Sequence, residues 1–385
     1  MRSVIPYLLI FSYVLTIFFV PASRLTYSAT HERDGHKLKL DVAIYGGPGA
    51  NRSSVARIVK LLETLNSSEA LRNVSLAWSI VDLSDLKSDV FPLLYDLLIM
   101  PEGESGQKYV ESFGKEGEVA LKRFLALGGG YIGISAGAYA ATSMILYFGN
   151  LEPSYEGWGI APNVISFITN YIGNVILVAE NSPSPDLLPA NITVIETNGP
   201  VMNVRGIALS LFKLSAAEKA EGNIASMLGY PMIVLDIYNG SPVLLSGPRI
   251  ELSEDASIFS ALLLYISSMI LAPNPSVLSK RLNLATMLLN ACRQYMSSEE
   301  RERGFQILTK ASLKVSKGEY AEALDLLQDM IIRLRSTLRH SLSKAHEYRF
   351  LGIMIVSLLP IFFFSIMITY RLVKRYKARE VTPQT

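Results

Sequence analysis

Apolar and polar residues follow two periodicities along the first two thirds of the chain. Short runs that are continuously apolar, or that alternate with polar residues, predict strands, and apolar residues three to four positions apart predict helices. Helices are predicted after Ser53 or Ser54 and at about 115–127, and strands at 38–47, 74–81, 96–100, 192–197, 232–238 and 243–246. Because strands alternate with helices, and several strands are apolar throughout, we expect residues 38–255 to form a three-layer, flavodoxin-like α/β domain with a parallel sheet.

The pattern changes near residue 257, where strand signals end and helical spacing begins. Asn274-Pro275 interrupts the first helical segment, Ser297 and Glu300 have capping-box spacing, and Gly318 precedes the last segment. That last segment carries apolar residues spaced as in a heptad, namely Tyr320, Leu324, Leu327, Ile331, Leu334 and Leu338. The seam at 320–338 therefore predicts either self-association of a helical stalk over 257–348 or packing on the preceding helix of the same chain.

Two longer apolar runs indicate a membrane protein. The run at 4–20 follows Arg2, which is typical of a signal peptide or a signal anchor over residues 1–23. The run at 350–370 has no charged residue and is about as long as a bilayer-spanning helix. A basic tail at 371–385 follows it and favours a cytoplasmic C-terminus. We expect a single-pass protein of the cell membrane with its large domain outside the cell.

Charge, cysteine content and sequons bound the function further. The formal net charge of +2 gives no indication of nucleic-acid binding. The lone Cys292 excludes an internal disulfide and a cysteine-built metal site, and we expect neither metal nor cofactor. Four N-x-S/T sequons predict glycosylation, at Asn51, Asn66, Asn73 and Asn191. A fifth sequon, at Asn239, is followed by Pro242, which makes it a poor acceptor of a glycan.

The segment Gly128–Tyr139 is the most informative motif in the chain. An apolar strand ends in Gly-Ile-Ser-Ala-Gly and runs into a helix-forming segment, which is the pattern of a nucleophile elbow around Ser135. A serine nucleophile needs a base, usually a histidine. The four histidines are His31, His36, His340 and His346, and none follows Ser135 within the predicted α/β domain.

Three loops should meet at the carboxyl edge of the predicted sheet, where open α/β sheets bind ligands. They are the loop 46–51, the loop 101–107 and the elbow. The backbone N–H groups of Ala136 and Gly103 are candidate donors to an oxyanion. The candidate ligand-loop residues are Gly46, Gly47, Gly49, Glu102 and Glu104. The glycine loop could cradle a phosphate or only form a turn, and the two glutamates could act as an acid/base pair or be solvated.

Four segments resemble the class I glutamine amidotransferase-like superfamily, and especially the amidotransferase-like domain at the N-terminus of biotin–protein ligases. They are Tyr45-Gly46-Gly47-Pro48-Gly49, the strand 96–103, the elbow 128–139 and the closing segment 243–251. The resemblance covers about residues 38–255. It does not reach the C-terminal helices, and no ligase domain follows it.

The resemblance places the family's catalytic triad at Ser135, Arg249 and Glu251. Ser135 stands where the family has cysteine, and Arg249 stands where it has histidine. Arginine remains protonated and cannot act as a general base. Arg249 could instead pair with Glu251 or bind an anionic ligand.

Two functions follow from these departures. The favoured one is a membrane-anchored, catalytically inactive amidotransferase-like domain that binds a small molecule or a protein partner at the cell surface. The alternative is a hydrolase or amidase that uses Ser135 with a non-standard base.

Overall fold

The computed structural model describes residues 38–68, 74–147, 153–181, 188–218, 224–253 and 257–344. The apolar runs at 4–20 and 350–370, the basic tail and Asn73 lie outside these ranges, so the predictions made for them stay predictions. Among the described helices, no single one is long and apolar enough to cross a membrane. The pair Ser257–Ile270 and Pro275–Tyr295, which is bent by 78°, meets that criterion only when its two members are taken together.

A nine-stranded sheet forms the centre of the α/β domain. Its strands are β1 (Leu38–Tyr45), β2 (Val74–Val81), β3 (Leu97–Met100), β4 (Gly130–Ile134), β8 (Ile172–Ala179), β9 (Asn191–Thr197), β11 (Leu209–Ala217), β12 (Pro231–Tyr238) and β13 (Ser241–Ser246). Their order in the sheet is β2-β1-β3-β4-β13-β12-β11-β8-β9. The first five strands in this order are parallel, and the other four are joined to them antiparallel. The parallel sheet predicted from the sequence is thus part of a mixed sheet.

Helices cover both faces of this sheet. The helices of the domain are α1 (Arg52–Asn66), α2 (Leu83–Lys87), α3 (Phe91–Leu94), α4 (Gly106–Ala126) and α5 (Ala136–Ala141). On one face, Val42 and Ile44 of β1 share a core with α1. On the other face, Ala43 and Tyr45 share a core with α4 and α5. The alternation of side chains along β1 therefore supplies both hydrophobic cores.

A second, four-stranded sheet begins directly after α5 in the chain. It consists of β5 (Thr142–Tyr147), β6 (Pro153–Glu156), β7 (Ala161–Ile168) and β10 (Val201–Val204), in the order β10-β7-β5-β6. No strand was predicted between 142 and 179. These strands bury side chains on irregular positions rather than in strict alternation, so their periodicity is weak.

The hairpin between β12 and β13 has a two-residue turn at Asn239 and Gly240. Their φ angles are +49° and +73°, as expected for a type I′ turn. The turn sets the register between β12 and β13. The other side of β13 pairs in parallel with β4, where Ser246 is opposite Ile134 at the end of the two strands.

The C-terminal region contains α6 (Ser257–Ile270), α7 (Pro275–Cys292), α8 (Ser298–Ser316) and α9 (320–344). The predicted boundaries are confirmed: Asn274 caps α7, Ser297 and Glu300 form a capping box on α8, and Gly318 separates α8 from α9 with a φ of +78°. The heptad-seam residues Leu324, Leu327, Ile331, Leu334 and Leu338 are buried in a core shared with α7. In the structure, this seam therefore packs within its own chain.

A buried ion cluster attaches α9 to the sheet, so the helices lie against the α/β domain. The Arg335 guanidinium lies 2.9 Å from Asp41 Oδ2 and 2.6 Å from Asp96 Oδ2. Arg281 of α7 lies 2.8 Å from Asp96 Oδ1. All four residues are at most 4% exposed. Although burial opposes ionisation of Asp96, the guanidinium groups of Arg335 and Arg281 hold its pKa well below the usual range.

Candidate functional site

Ser135 occupies a sharp turn between β4 and α5. Its φ of +51° and ψ of −105° are strained for a residue with a side chain. Its backbone N–H donates to the carbonyl oxygen of Ser246 at 2.8 Å, which ties the turn to the end of β13. The residue is 4% exposed. This geometry is that of a nucleophile elbow.

The glycines on either side of Ser135 permit this turn. A Cβ on Gly133 would lie 2.7 Å from the Gly137 carbonyl oxygen, and a Cβ on Gly137 would lie 2.5 Å from that of Met100. Both contacts involve backbone atoms, which cannot move aside easily. The Gly-x-Ser-x-Gly spacing is therefore required for α5 to pack against the ends of β3 and β4.

Arg249 follows β13 at the same edge of the sheet, and its guanidinium bridges two glutamates. Its Nη2 lies 2.7 Å from Glu102 Oε2 and its Nε lies 3.4 Å from Glu251 Oε1. The Glu251 side chain is fully buried, and those of Arg249 and Glu102 are 13% exposed. Glu102 follows β3, so this ion-pair cluster joins the ends of β3 and β13.

The N-terminus of α1 completes the cluster with neutral donors. Asn51 Nδ2 donates to Glu102 Oε2 at 2.9 Å, and Ser54 Oγ donates to Glu251 Oε1 at 2.8 Å. The Oδ1 atom of Asn51 accepts from the Ser53 N–H and so caps α1. Each carboxylate of the cluster is thereby held by one charged and one neutral donor.

Burial shifts the pKa of both glutamates in the cluster. Burial raises the pKa of Glu102, and Glu251 raises it further, while Arg249 and Asn51 oppose the change. Burial also raises the pKa of Glu251, against the hydrogen bond from Ser54. Arg249 therefore favours the ionised forms of two carboxylates whose pKa is raised by burial.

The structure brings Arg249 and Glu251 together but does not connect them to Ser135 by a hydrogen bond. Within the described residues, the Ser135 hydroxyl makes no hydrogen bond to any side chain. The sequence-predicted triad is therefore divided into a strained serine and a separate Arg–Glu–Glu cluster.

The other predicted loop residues have mostly structural roles. The Ala50 N–H donates to the Gly47 carbonyl oxygen at 3.1 Å, so the glycine loop forms a turn, and Gly49 has a φ of +87°. Ala50 pairs with Gly103 in an isolated bridge, which brings the loops 46–51 and 101–107 together. Glu104 is exposed, whereas Glu102 is held by Arg249, so the two do not form an acid/base pair in this structure. Ala136 is the first residue of α5, where helix N–H groups lack intrahelical partners.

The asparagines of the described sequons differ in the hydrogen bonding and exposure of their side chains. The Asn51 amide is engaged on both sides, as described above. Asn66 Oδ1 accepts from the Leu76 N–H at 3.0 Å. Asn191 is exposed at the start of the edge strand β9. Among the three, Asn191 offers the most accessible amide.

Sequence reasoning missed Glu196, a buried carboxyl near the cluster. It lies in β9, accepts a hydrogen bond from the Gly199 N–H, and is flanked by Ile195, whose carbonyl oxygen accepts from the Arg249 N–H. Burial raises its pKa to about 8. A single acidic residue in an alternating strand normally faces water, so no sequence signal distinguished it. The prediction that the first helix begins after Ser53 or Ser54 is wrong, because Asn51 caps α1 and Arg52 is its first residue.

Residues 40–156 match the family described as the N-terminal domain of biotin–protein ligase, which is the amidotransferase-like domain that the sequence motifs resemble. The matched span contains the glycine loop, Glu102 and Ser135. It ends before Arg249 and Glu251, whose correspondence to the family's triad rests on the motif at 243–251 alone.

Comparison with solved structures gives distant matches. A ThuA-like protein from Bacteroides uniformis is 14% identical, with 65% of this chain and 97% of that chain covered and a TM-score of 0.41. One from Parabacteroides merdae is 13% identical, with coverages of 61% and 90% and a TM-score of 0.37. A β-galactosidase from a Rahnella species is 12% identical, with coverages of 59% and 31% and a TM-score of 0.36. No curated protein matches the chain.

Proposed function

We propose that this chain is a membrane-anchored, catalytically inactive amidotransferase-like protein that binds a small molecule or a protein partner at the cell surface. The observation that carries the proposal is that the Arg249 guanidinium forms ion pairs with two glutamates. Arg249 stands at the position of the family's histidine, it cannot accept a proton, and its guanidinium is committed to Glu102 and Glu251. The position that would supply the base instead stabilises the loops.

The finer fold assignment belongs to the same proposal. The order β2-β1-β3-β4-β13 has the 2-1-3-4-5 sequence of a flavodoxin-like sheet. Together with a helical layer on each face, this order supports a three-layer domain. The added antiparallel strands and the second sheet then form an elaboration of that domain between the elbow and the closing strand.

Binding without catalysis is supported by the loops at the carboxyl edge. Ligands of open α/β sheets bind at this edge, and here three loops from β1, β3 and β4 converge on it. The bridge between Ala50 and Gly103 and the Arg249 cluster hold two of these loops in place. A preorganised edge reduces the conformational entropy that these loops lose when a ligand or partner binds.

The alternative, a hydrolase that uses Ser135, is favoured by one observation. The strained φ of +51° at Ser135 is a feature that proteins maintain mainly at functional sites. A working site would need a base within about 3.2 Å of the Ser135 hydroxyl once substrate is bound.

Labelling with a fluorophosphonate probe tests the two functions against each other. We expect the full-length protein to resist labelling because no basic side chain in the described part of the chain is hydrogen-bonded to the Ser135 hydroxyl. Labelled peptide would be measured by mass spectrometry, with the Ser135→Ala variant as the control. Stoichiometric labelling that disappears in this variant would establish the hydrolase and refute the inactive-domain proposal.

Membrane topology is tested separately. If the run at 350–370 spans the membrane, protease added to intact cells should remove the α/β domain and leave the tail at 371–385 protected. The fragments would be detected with epitope tags at the two ends of the mature chain. Digestion of the tail with protection of the α/β domain would reverse the orientation, and release of the chain by alkaline carbonate would exclude a membrane span.

A further inference from the structure

A polar groove between the end of α7 and the start of α8 has no role in the site described above. Its volume is about 290 Å³. Its polar lining includes Asn290, Arg293, Ser298 and Arg301, and Gln294 continues it on one side. The groove is thus lined mainly by hydrogen-bond donors.

In the part of the chain that the structure describes, the two arginines of the groove lack the kind of ion pair that the neighbouring Arg303 forms. Within the described residues, neither Arg293 nor Arg301 forms an ion pair with a carboxylate. Arg301 only donates from Nε to the Ser297 carbonyl oxygen at 3.4 Å. In contrast, Arg303, two positions further along α8, lies 2.6 Å from Glu299. The groove therefore has two guanidinium groups whose planar faces and N–H groups remain available to an anion.

One exposed aromatic side chain also lines the groove. Phe305 is 51% exposed. Exposed aromatic side chains next to arginines are typical of surfaces that contact the interfacial region of a bilayer. Glu302 also lines the groove, so its two guanidiniums and one carboxylate sum to a charge of about +1. That charge suits a singly charged phosphodiester better than a polyanion.

The groove lies near the end of the chain that leads to the predicted membrane span. The Cys292 thiol, at the end of α7, donates to the Leu334 carbonyl oxygen at 3.3 Å. Leu334 is ten residues before the last described residue of α9, or about 15 Å along a helix. Only residues 345–349 separate the last described residue of α9 from the apolar run at 350–370.

From these observations we infer that the groove between α7 and α8 binds the phosphodiester of an anionic phospholipid headgroup. Arg293 and Arg301 bind the phosphate oxygens, Ser298 and Asn290 supply neutral donors, and Phe305 contacts the apolar part of the lipid. The inference rests on the proposed membrane anchoring. It adds a second, headgroup-specific contact that would fix the orientation of the helical region on the membrane.

Lipid binding to the full-length protein in detergent micelles tests this site. Native mass spectrometry would compare phosphatidylglycerol with diacylglycerol, which lacks the phosphate, for the wild type, an Arg293→Gln/Arg301→Gln variant and the matched Arg303→Gln control. We expect the double variant to bind phosphatidylglycerol about tenfold more weakly, because charge-assisted hydrogen bonds to phosphate are lost. Arg303→Gln should bind it as the wild type does, and diacylglycerol binding should be equal in all three proteins.

Several outcomes would overturn the inference. Equal phosphatidylglycerol binding by the double variant and the wild type would exclude the groove, and an equal loss in Arg303→Gln would indicate a non-specific charge effect. Displacement of the lipid by inorganic phosphate alone would identify a free-phosphate site instead. The thermal midpoint of the double variant should stay unchanged, because both side chains lie at the surface of a groove. Carbonate extraction reports membrane anchoring independently, so a failure of the groove is distinguishable from a failure of the proposed function.

Discussion

Replacing Arg335 with alanine should lower the free energy of unfolding by about 3–5 kcal/mol. The substitution removes the guanidinium shared by Asp41 and Asp96, which then keep, among the described residues, only Arg339 and Arg281, respectively, as close arginine partners. It also removes the bond from Arg335 Nε to the Leu93 carbonyl oxygen at 2.8 Å. Removing one partner of a buried ion pair is costly because the remaining charge stays desolvated. The loss would be measured by urea titration of the full-length protein.

Arg303→Ala is the matched control, because it removes an exposed arginine from a surface ion pair worth roughly 0–1 kcal/mol. Arg335→Lys should fall between the two, since lysine keeps the charge but lacks the planar fork. A loss below about 1 kcal/mol for Arg335→Ala would contradict the role of the cluster in attaching α9 to the sheet.

Replacing Glu196 with glutamine should remove a pH dependence of stability between about pH 4.5 and 8. Burial raises the pKa of this carboxyl to about 8, against an ordinary value of 4.5. In that pH range the folded protein therefore binds a proton that the unfolded chain has released. The contribution of Glu196 is fully present at low pH, and it declines as pH rises until it levels off above the folded pKa.

Over that range the decline is on the order of 4 kcal/mol for the wild type. Glutamine is isosteric and uncharged, so the variant should lack this decline and should exceed the wild type in stability at pH 8. Urea midpoints at pH 5 and pH 8 would be compared, with Glu104→Gln as an exposed control. Parallel pH profiles of Glu196→Gln and the wild type would show that Glu196 is not protonated in the fold.

The elements that sequence patterns predicted well are those with strong local signals. The strand 74–81, the elbow at Ser135, the helix break at Asn274-Pro275 and the Ser297 capping box all depend on neighbouring residues, and the structure has them at the expected positions. The second sheet was missed because its short strands lack a regular alternation. The position of Glu196 was missed because burial of an acidic residue depends on contacts with distant parts of the chain.

The sequence predicted which residues belong to the site, but not all of the contacts between those that are distant in the chain. The sequence placed Arg249 and Glu251 together, and the structure pairs them. It gave no means of finding Glu102 as the second partner of Arg249, because residues 102 and 249 are brought together only by the pairing of β3, β4 and β13. Contacts of this kind depend on topology, whereas the motif records only local spacing.

The insertion between the elbow and the closing strand has a consequence for the order of folding. β4 and β13 are neighbours in the sheet, yet residues 135–240 separate them in the chain. Pairings across such a distance require a large loop to close and are slow. During synthesis, β1, β3 and β4 can therefore assemble before Arg249 and α9 emerge. The Arg249 cluster can form only once residues 241–251 emerge, and the Arg335 cluster only once α9 emerges. The two ends of the early strands are therefore closed at different stages of synthesis.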